Sequence, residues 1–140
     1  MSQEINVGII GTKFMGRAHS HAFIDVAYFF PQISRPVLRA ACGRNASDLE
    51  AFARQFGWQT TETAWERLVA RDDIHLVDIC TSNVTHMPIA VAAARAGKHI
   101  FCEKPIAREL PIIDRALAAA ERAGVKLQIG FNRRFDPGFR

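Results

Sequence analysis

Three short segments concentrate residues able to do chemistry: Gly11-Thr12-Lys13-Phe14-Met15-Gly16, Thr81-Ser82-Asn83-Val84-Thr85-His86 and Glu103-Lys104-Pro105. The second and third each follow an apolar run, at the carboxyl ends of strands, where open parallel sheets bind ligands. A lysine at such an edge is expected to be partly desolvated, which lowers its pKa toward the proton-transfer range, so Lys104 is the candidate catalytic residue. The alternative, a surface ion pair with Glu103, is disfavoured because neighbouring side chains point apart on an extended backbone.

The glycine segment joins the apolar run Ile5–Ile10 to a helical pattern carrying Ala18, Ala22, Val26 and Ala27. This is the placement of a dinucleotide turn, in which the first glycine turns the chain, the second admits the pyrophosphate backbone-close, and the third lets helix pack on strand. Lys13 stands where the second glycine belongs, so the strict pattern is broken, and a tight turn without ligand is the competing reading. The lysine then faces solvent or meets a phosphate as a point charge.

At the end of the second strand, where dinucleotide folds place an acid for the adenosine ribose, the chain has Ala41-Cys42-Gly43-Arg44-Asn45. Without a carboxylate nothing repels a 2′-phosphate, and Arg44 offers it a bidentate or stacked partner, favouring NADP(H) over NAD(H). The competing reading is a solvated loop arginine.

Elements capable of positioning these loops alternate along the chain. Strand-like runs at Ile5–Ile10, Val37–Cys42, Ile74–Cys80, His99–Cys102 and Lys126–Gly130, with a weaker one near Trp58–Thr60, are separated by helical patterns. Several strands are apolar on both faces, Leu76, Val77, Ile79 and Cys80 for example, as in a parallel sheet covered on both sides. The expected fold is a doubly wound parallel α/β sheet of about six strands with helices on both faces. Ser47 with Glu50 and Thr63 with Glu66 are spaced as capping boxes. Gly57, Gly97 and Gly124 fall where helices end in a left-handed residue, and Pro88 and Pro111 where a first turn tolerates a missing N–H.

The chain has 140 residues, with 18 Lys and Arg against 14 Asp and Glu, and 49% hydrophobic residues, enough for one domain with its own core. Residues 1 to 125 carry 14 basic and 13 acidic side chains, so the positive surplus lies in Lys126–Arg140 and no basic stripe argues for nucleic acid or a membrane surface. No run is long and apolar enough for a span, and the N-terminus lacks the pattern of a secretion signal, so a cytoplasmic location is expected. Three separated cysteines, Cys42, Cys80 and Cys102, suit reduced thiols. His19 and His21 lie two apart on a helix and face apart, so with His86 they do not form a metal site. Trp58 and Trp65 are expected to be core residues.

Gly11–Gly16 with Arg17-Ala18-His19, the Asn83/His86 loop, Glu103-Lys104-Pro105 and Gly130-Phe131-Asn132-Arg133-Arg134-Phe135 resemble the N-terminal half of the Gfo/Idh/MocA oxidoreductases, across essentially the whole chain. The resemblance implies a Rossmann domain, residues 1–131, with residues 132–140 starting a hinge toward a C-terminal substrate domain. It implies NAD(P)-dependent hydride transfer on a sugar, inositol or related polyol, and a homo-oligomer when full length. Lys104 then acts in proton transfer or substrate orientation. The dinucleotide is contacted by Gly11, Thr12, Lys13, Phe14, Met15, Gly16, Gly43, Arg44, Asn45, Thr81, Ser82, Asn83, His86, Glu103 and Lys104, with Asn132 and Arg133 bordering the nicotinamide. The Lys104–Pro105 peptide is expected to be cis. Lys13, Ser82 and Gly43 depart from the family's frequent residues, and the 140-residue chain alone should bind cofactor without turnover. A stand-alone dinucleotide-sensing or interaction module is the alternative, and binding of another adenosine ligand, such as S-adenosylmethionine, is disfavoured by Glu103-Lys104-Pro105.

Overall fold

The computed structural model describes residues 4–139. Six strands, β1 (Glu4–Ile10), β2 (Arg35–Cys42), β3 (Thr60–Glu62), β4 (Leu76–Ile79), β5 (His99–Cys102) and β6 (Leu127–Ile129), form one sheet in the order β3-β2-β1-β4-β5-β6. Every pairing is parallel. Five helices connect them: α1 (Phe14–Phe29), α2 (Ala46–Phe56), α3 (Trp65–Val69), α4 (Asn83–Arg95) and α5 (Leu110–Ala123). Chain order reverses between β1 and β4, which opens a crevice at their carboxyl ends.

Strand parity divides the core in two, since successive side chains point to opposite faces. Ile10, Val77, Ile79, Ile100 and Cys102 meet Leu68, Ile89, Ala93 and Ala116 on the face of α3, α4 and α5. Val7, Ile9, Ala41 and Cys80 meet Leu49, Phe52 and Trp58 on the other, covered by α1 and α2. The alanine-rich α4 and α5 approach the sheet closely because their inward residues are small, with Ala90, Ala93, Ala94, Ala116, Ala119 and Ala120 all buried. Trp58 is buried, its indole N–H donating to Ser20 Oγ at 3.1 Å, and that hydroxyl donates to the Gly16 carbonyl at 2.7 Å.

The helix boundaries correct part of the sequence reading. Asn45, not Ser47, caps α2, its side chain accepting from the Asp48 N–H at 3.1 Å, and Ser47 instead donates to Asn45 Oδ1. Asparagine is among the strongest N-caps because its side-chain carbonyl accepts from an amide of the first turn that has no partner within the helix. Neither Thr63 nor any side chain caps α3, whose N-cap is Ala64. Pro88 lies inside α4 rather than in its first turn; that helix starts earlier, at Asn83. Pro111 opens α5 as expected, and Gly57, Gly97 and Gly124 all have positive φ. The weak third strand lies slightly later than expected, at Thr60–Glu62. Residues Asn132–Phe135 and Pro137–Phe139 form two exposed 3-10 turns. No helix of the described residues is long and apolar enough to cross a membrane.

Candidate functional site

The hydrogen-bond ladder places the three chemical segments side by side. Gly43 N–H donates to Glu62, Gly11 to Cys42, Cys80 to Ile10, Glu103 to Ile79 and Gly130 to Cys102, over 2.8–3.2 Å, so all six strand ends stop at one level. Each loop then leaves the sheet at the same edge. Segments far apart in the sequence thereby share one rim.

At the centre of the rim, the glycine turn is built for close approach. Gly11 has φ +110°, and a Cβ there would lie 2.5 Å from the Cys80 carbonyl oxygen, so only glycine lets β1 turn against the end of β4. A Cβ on Gly16 would lie 2.0 Å from the Gly11 carbonyl oxygen, which seats the first turn of α1 directly on the loop. No side chain caps the N-terminus of α1 and its first turn holds no acid. Its amides and positive dipole end therefore face the crevice unopposed, the arrangement that receives a phosphate. The residues present thus fit a dinucleotide.

Lys13 and Phe14 are exposed on this turn, and Lys13 Nζ is 3.8 Å from Asp48 Oδ2 in the first turn of α2. The pair spans the mouth between the glycine turn and the end of β2, where Thr12 packs beneath Gly43. Met15 is half-buried against the α1-side core. Arg44 and Asn45 are exposed beside this mouth, and Asn45 is occupied as the α2 cap.

On the other side of the crevice, Ser82 is exposed and Asn83 and Thr81 are half-buried at the start of α4. Thr85 Oγ1 closes this loop, 2.7 Å from Thr81 Oγ1 and 2.8 Å from the Ser82 carbonyl. His86 departs from the ligand-facing placement expected of it. It is 1% exposed, with its ring nitrogens 2.9 Å from the Pro105 carbonyl and 3.1 Å from the Thr81 carbonyl. One turn into α4, its side chain points under the rim and braces two loops instead of lining the crevice. The Lys104–Pro105 peptide it supports is cis, as expected.

Glu103 and Lys104 do point apart. Lys104 is exposed, so the partial burial expected of it is not achieved by the described residues; nothing in residues 4–139 covers this edge. Glu103 is buried, and its Oε1 meets His19 Nε2 at 3.2 Å while Oε2 accepts the Lys104 N–H at 3.2 Å. Gly130 leaves it room, since a Cβ there would come 2.6 Å from Oε1. Asn132 and Arg133 are exposed just beyond, with the Arg133 guanidinium 4.9 Å over the Phe139 ring.

A group not anticipated from sequence lies beneath the rim. Asp78, fully buried, holds His19 Nδ1 with Oδ2 at 2.9 Å and Oδ1 at 3.0 Å, and Cys80 Sγ lies 3.2 Å from the same nitrogen. Strand parity is the reason: with Val77, Ile79, Ile100 and Cys102 facing α4 and α5, residues 78, 80, 101 and 103 must face α1. Phe101 stacks on the His19 ring at 5.2 Å. Burial opposes charge on His19, but the Asp78 and Glu103 carboxylates outweigh it and hold its pKa above the usual 6.5. Burial pushes the Asp78 carboxyl up despite the His19 contact. The Cys80 thiol is driven far up by burial and by Asp78. The signal available in the sequence was one acid in an otherwise apolar strand.

A parallel sheet reversing at a glycine turn, with a lysine on the adjoining rim, defines a dinucleotide-binding domain of oxidoreductase type. The chain belongs to the Gfo/Idh/MocA oxidoreductase family, matching its NAD-binding Rossmann fold over residues 5–131. It is 40% identical over 136 residues to levoglucosan dehydrogenase of Pseudarthrobacter phenanthrenivorans, covering 96% of this chain and 35% of that protein. A solved levoglucosan dehydrogenase complex with NADH and levoglucosan superposes with a TM-score of 0.93 at 38% identity, over 98% of this chain and 37% of that one. A scyllo-inositol dehydrogenase from Lactobacillus casei, solved with NAD(H) and scyllo-inositol, gives 0.83 at 29% identity, over 96% and 38%. The chain thus spans little more than a third of the length of these relatives.

Proposed function

We propose that this chain is the cofactor half of a dehydrogenase that oxidises or reduces a sugar, inositol or related polyol, with Lys104 orienting the substrate oxygen or exchanging its proton. The observation that carries the reading is the meeting, on one rim, of an uncapped α1 N-terminus behind a glycine turn and the exposed Lys104. The nicotinamide, when bound, supplies the hydride chemistry. The chain's own residues do the positioning: α1 amides and Lys13 take the pyrophosphate, Gly43, Arg44 and Asn45 the adenosine ribose, and Thr81, Ser82 and Asn83 the run toward the nicotinamide. Asn132 and Arg133 border that end, and residues 132–140 lead toward a substrate domain of the kind its relatives' extra length accommodates. The family names of the relatives supply the substrate class, and an oligomer is the expected state of the whole protein.

For cofactor choice the reading favours NADP(H). Arg44 is exposed at the end of β2, where Gly43 leaves no carboxylate to repel a 2′-phosphate. Titration with NADPH and NADH tests this, followed by Arg44→Ala, expected to weaken NADPH about tenfold and leave NADH unchanged. NADH binding at least as tightly as NADPH overturns the preference alone. Failure of both to bind below millimolar concentration overturns the whole reading. In the whole protein, with levoglucosan and inositols as substrates, Lys104→Met is expected to abolish turnover.

A further inference from the structure

We propose that His19 is a positioning residue, which ties the buried Asp78 through its two ring nitrogens to Glu103 and so fixes the main chain that presents Lys104. The inference rests on the reading of Lys104 given above, but its core is geometric. Asp78 meets Nδ1 at 2.9 Å, Glu103 meets Nε2 at 3.2 Å, and the second Glu103 oxygen accepts the Lys104 amide at 3.2 Å. With Asp78 and Glu103 ionised, the state in which their charges hold the His19 pKa up, each carboxylate only accepts, so both nitrogens are satisfied together only when both carry protons.

The surroundings of the ring favour that orientation. Phe101 stacks on one face, and the absence of a side chain at Gly130 makes the room that Glu103 Oε1 occupies. Among the described residues, the titratable groups facing His19 are Asp78 from β4, Cys80 just past its end and Glu103 just past the end of β5. The thiol stays protonated and carries no charge into the balance. Loss of one His19 proton therefore leaves either Asp78 or Glu103 without its histidine donor. Glu103 is the freer of the two, because Asp78 is wholly enclosed. The element that loosens is then the Glu103–Lys104 turn.

A metal ion held by His19, Asp78 and Cys80 is the rival use of the same atoms. Ligand atoms on a tetrahedral zinc stand about 3.3 Å or more apart for bonds of ~2.0–2.3 Å, whereas Nδ1 and Asp78 Oδ2 are 2.9 Å apart, a hydrogen bond.

Nitrogen-15 NMR of the full chain tests the inference without requiring turnover. Two protonated His19 nitrogens are expected at pH 6, and the Lys104 amide resonance should move over the pH range in which His19 titrates. Glu103→Gln should uncouple the Lys104 amide from that titration. If this variant does not fold, the wild-type titration decides alone. A Lys104 amide indifferent to His19, a His19 ring with one proton at pH 6, or one equivalent of zinc retained after purification each overturns the proposal. A parallel NADH titration keeps the two readings apart: coupling without cofactor binding sinks the dehydrogenase reading and leaves the positioning of the turn intact. Where the protein turns over, His19→Gln is expected to lower kcat about tenfold with cofactor KM unchanged. Equal loss in both marks a merely structural role.

Discussion

Replacing Gly16 by alanine attacks the seat of α1 on the glycine turn. The added Cβ would stand 2.0 Å from the Gly11 carbonyl oxygen and 2.9 Å from its carbon, a shortfall of about 1.3 Å against an ordinary C···O contact. The obstacle is backbone, locked on one side by the positive φ of Gly11 and by the Gly11 N–H bond to Cys42, so no rotamer change relieves it. Overpacking of this kind costs up to about 3 kcal/mol, while alanine returns ~0.5–1 kcal/mol of helix propensity. A net loss of about 2 kcal/mol lowers Tm by roughly 7 °C in a domain of this size. Because α1 must shift outward, dinucleotide affinity should fall with it. Thermal melts and an NADPH titration measure both. Gly57→Ala is the control: its φ is positive but nothing lies within 4 Å of its would-be Cβ, so about 1 kcal/mol of left-handed strain is expected without loss of affinity. A Gly16→Ala protein that melts with the wild type and binds cofactor equally well would refute the reasoning.

The His19 pKa is raised in the folded chain, so its contribution to stability is complete below about 6.5 and is lost as pH rises through the folded value. Urea midpoints should therefore decline from pH 6 toward pH 9 in the wild type and lose that slope in His19→Gln; a flat wild-type curve would count against the buried pair. Burial pushes the Cys42 and Cys102 thiols up to about 12 and Cys80 higher still. All three should resist a thiol reagent at pH 8 until the protein is unfolded, and rapid native labelling would contradict their placement.

The alternating apolar runs were enough to read the doubly wound sheet, because β1, β4 and β5 have sharp boundaries and no competing periodicity. The rim was legible for the same reason: a loop directly after a buried parallel strand has one place to go. What escaped was pairing at a distance. His19 lies 59 residues from Asp78 and 84 from Glu103, and helix spacing shows only that it faces away from His21. Asp78 was hidden among Leu76, Val77 and Ile79, where the eye counts the apolar neighbours. The cap of α2 was misplaced by two residues because Ser47/Glu50 and Asn45/Asp48 share one spacing, and local pattern alone does not choose between them. Burial of His86 is also tertiary, set by carbonyls arriving from Thr81 and Pro105.

The bond from Trp58 to Ser20, and from Ser20 to the Gly16 carbonyl, joins an indole to the start of α1 through one hydroxyl. The chain therefore carries its own optical gauge of the turn. Trp65 packs against the core on the opposite face of the sheet, so Trp65→Phe leaves a single emitter on the side that matters. Its emission reports whether α1 is seated, with no dye, ligand or substrate required.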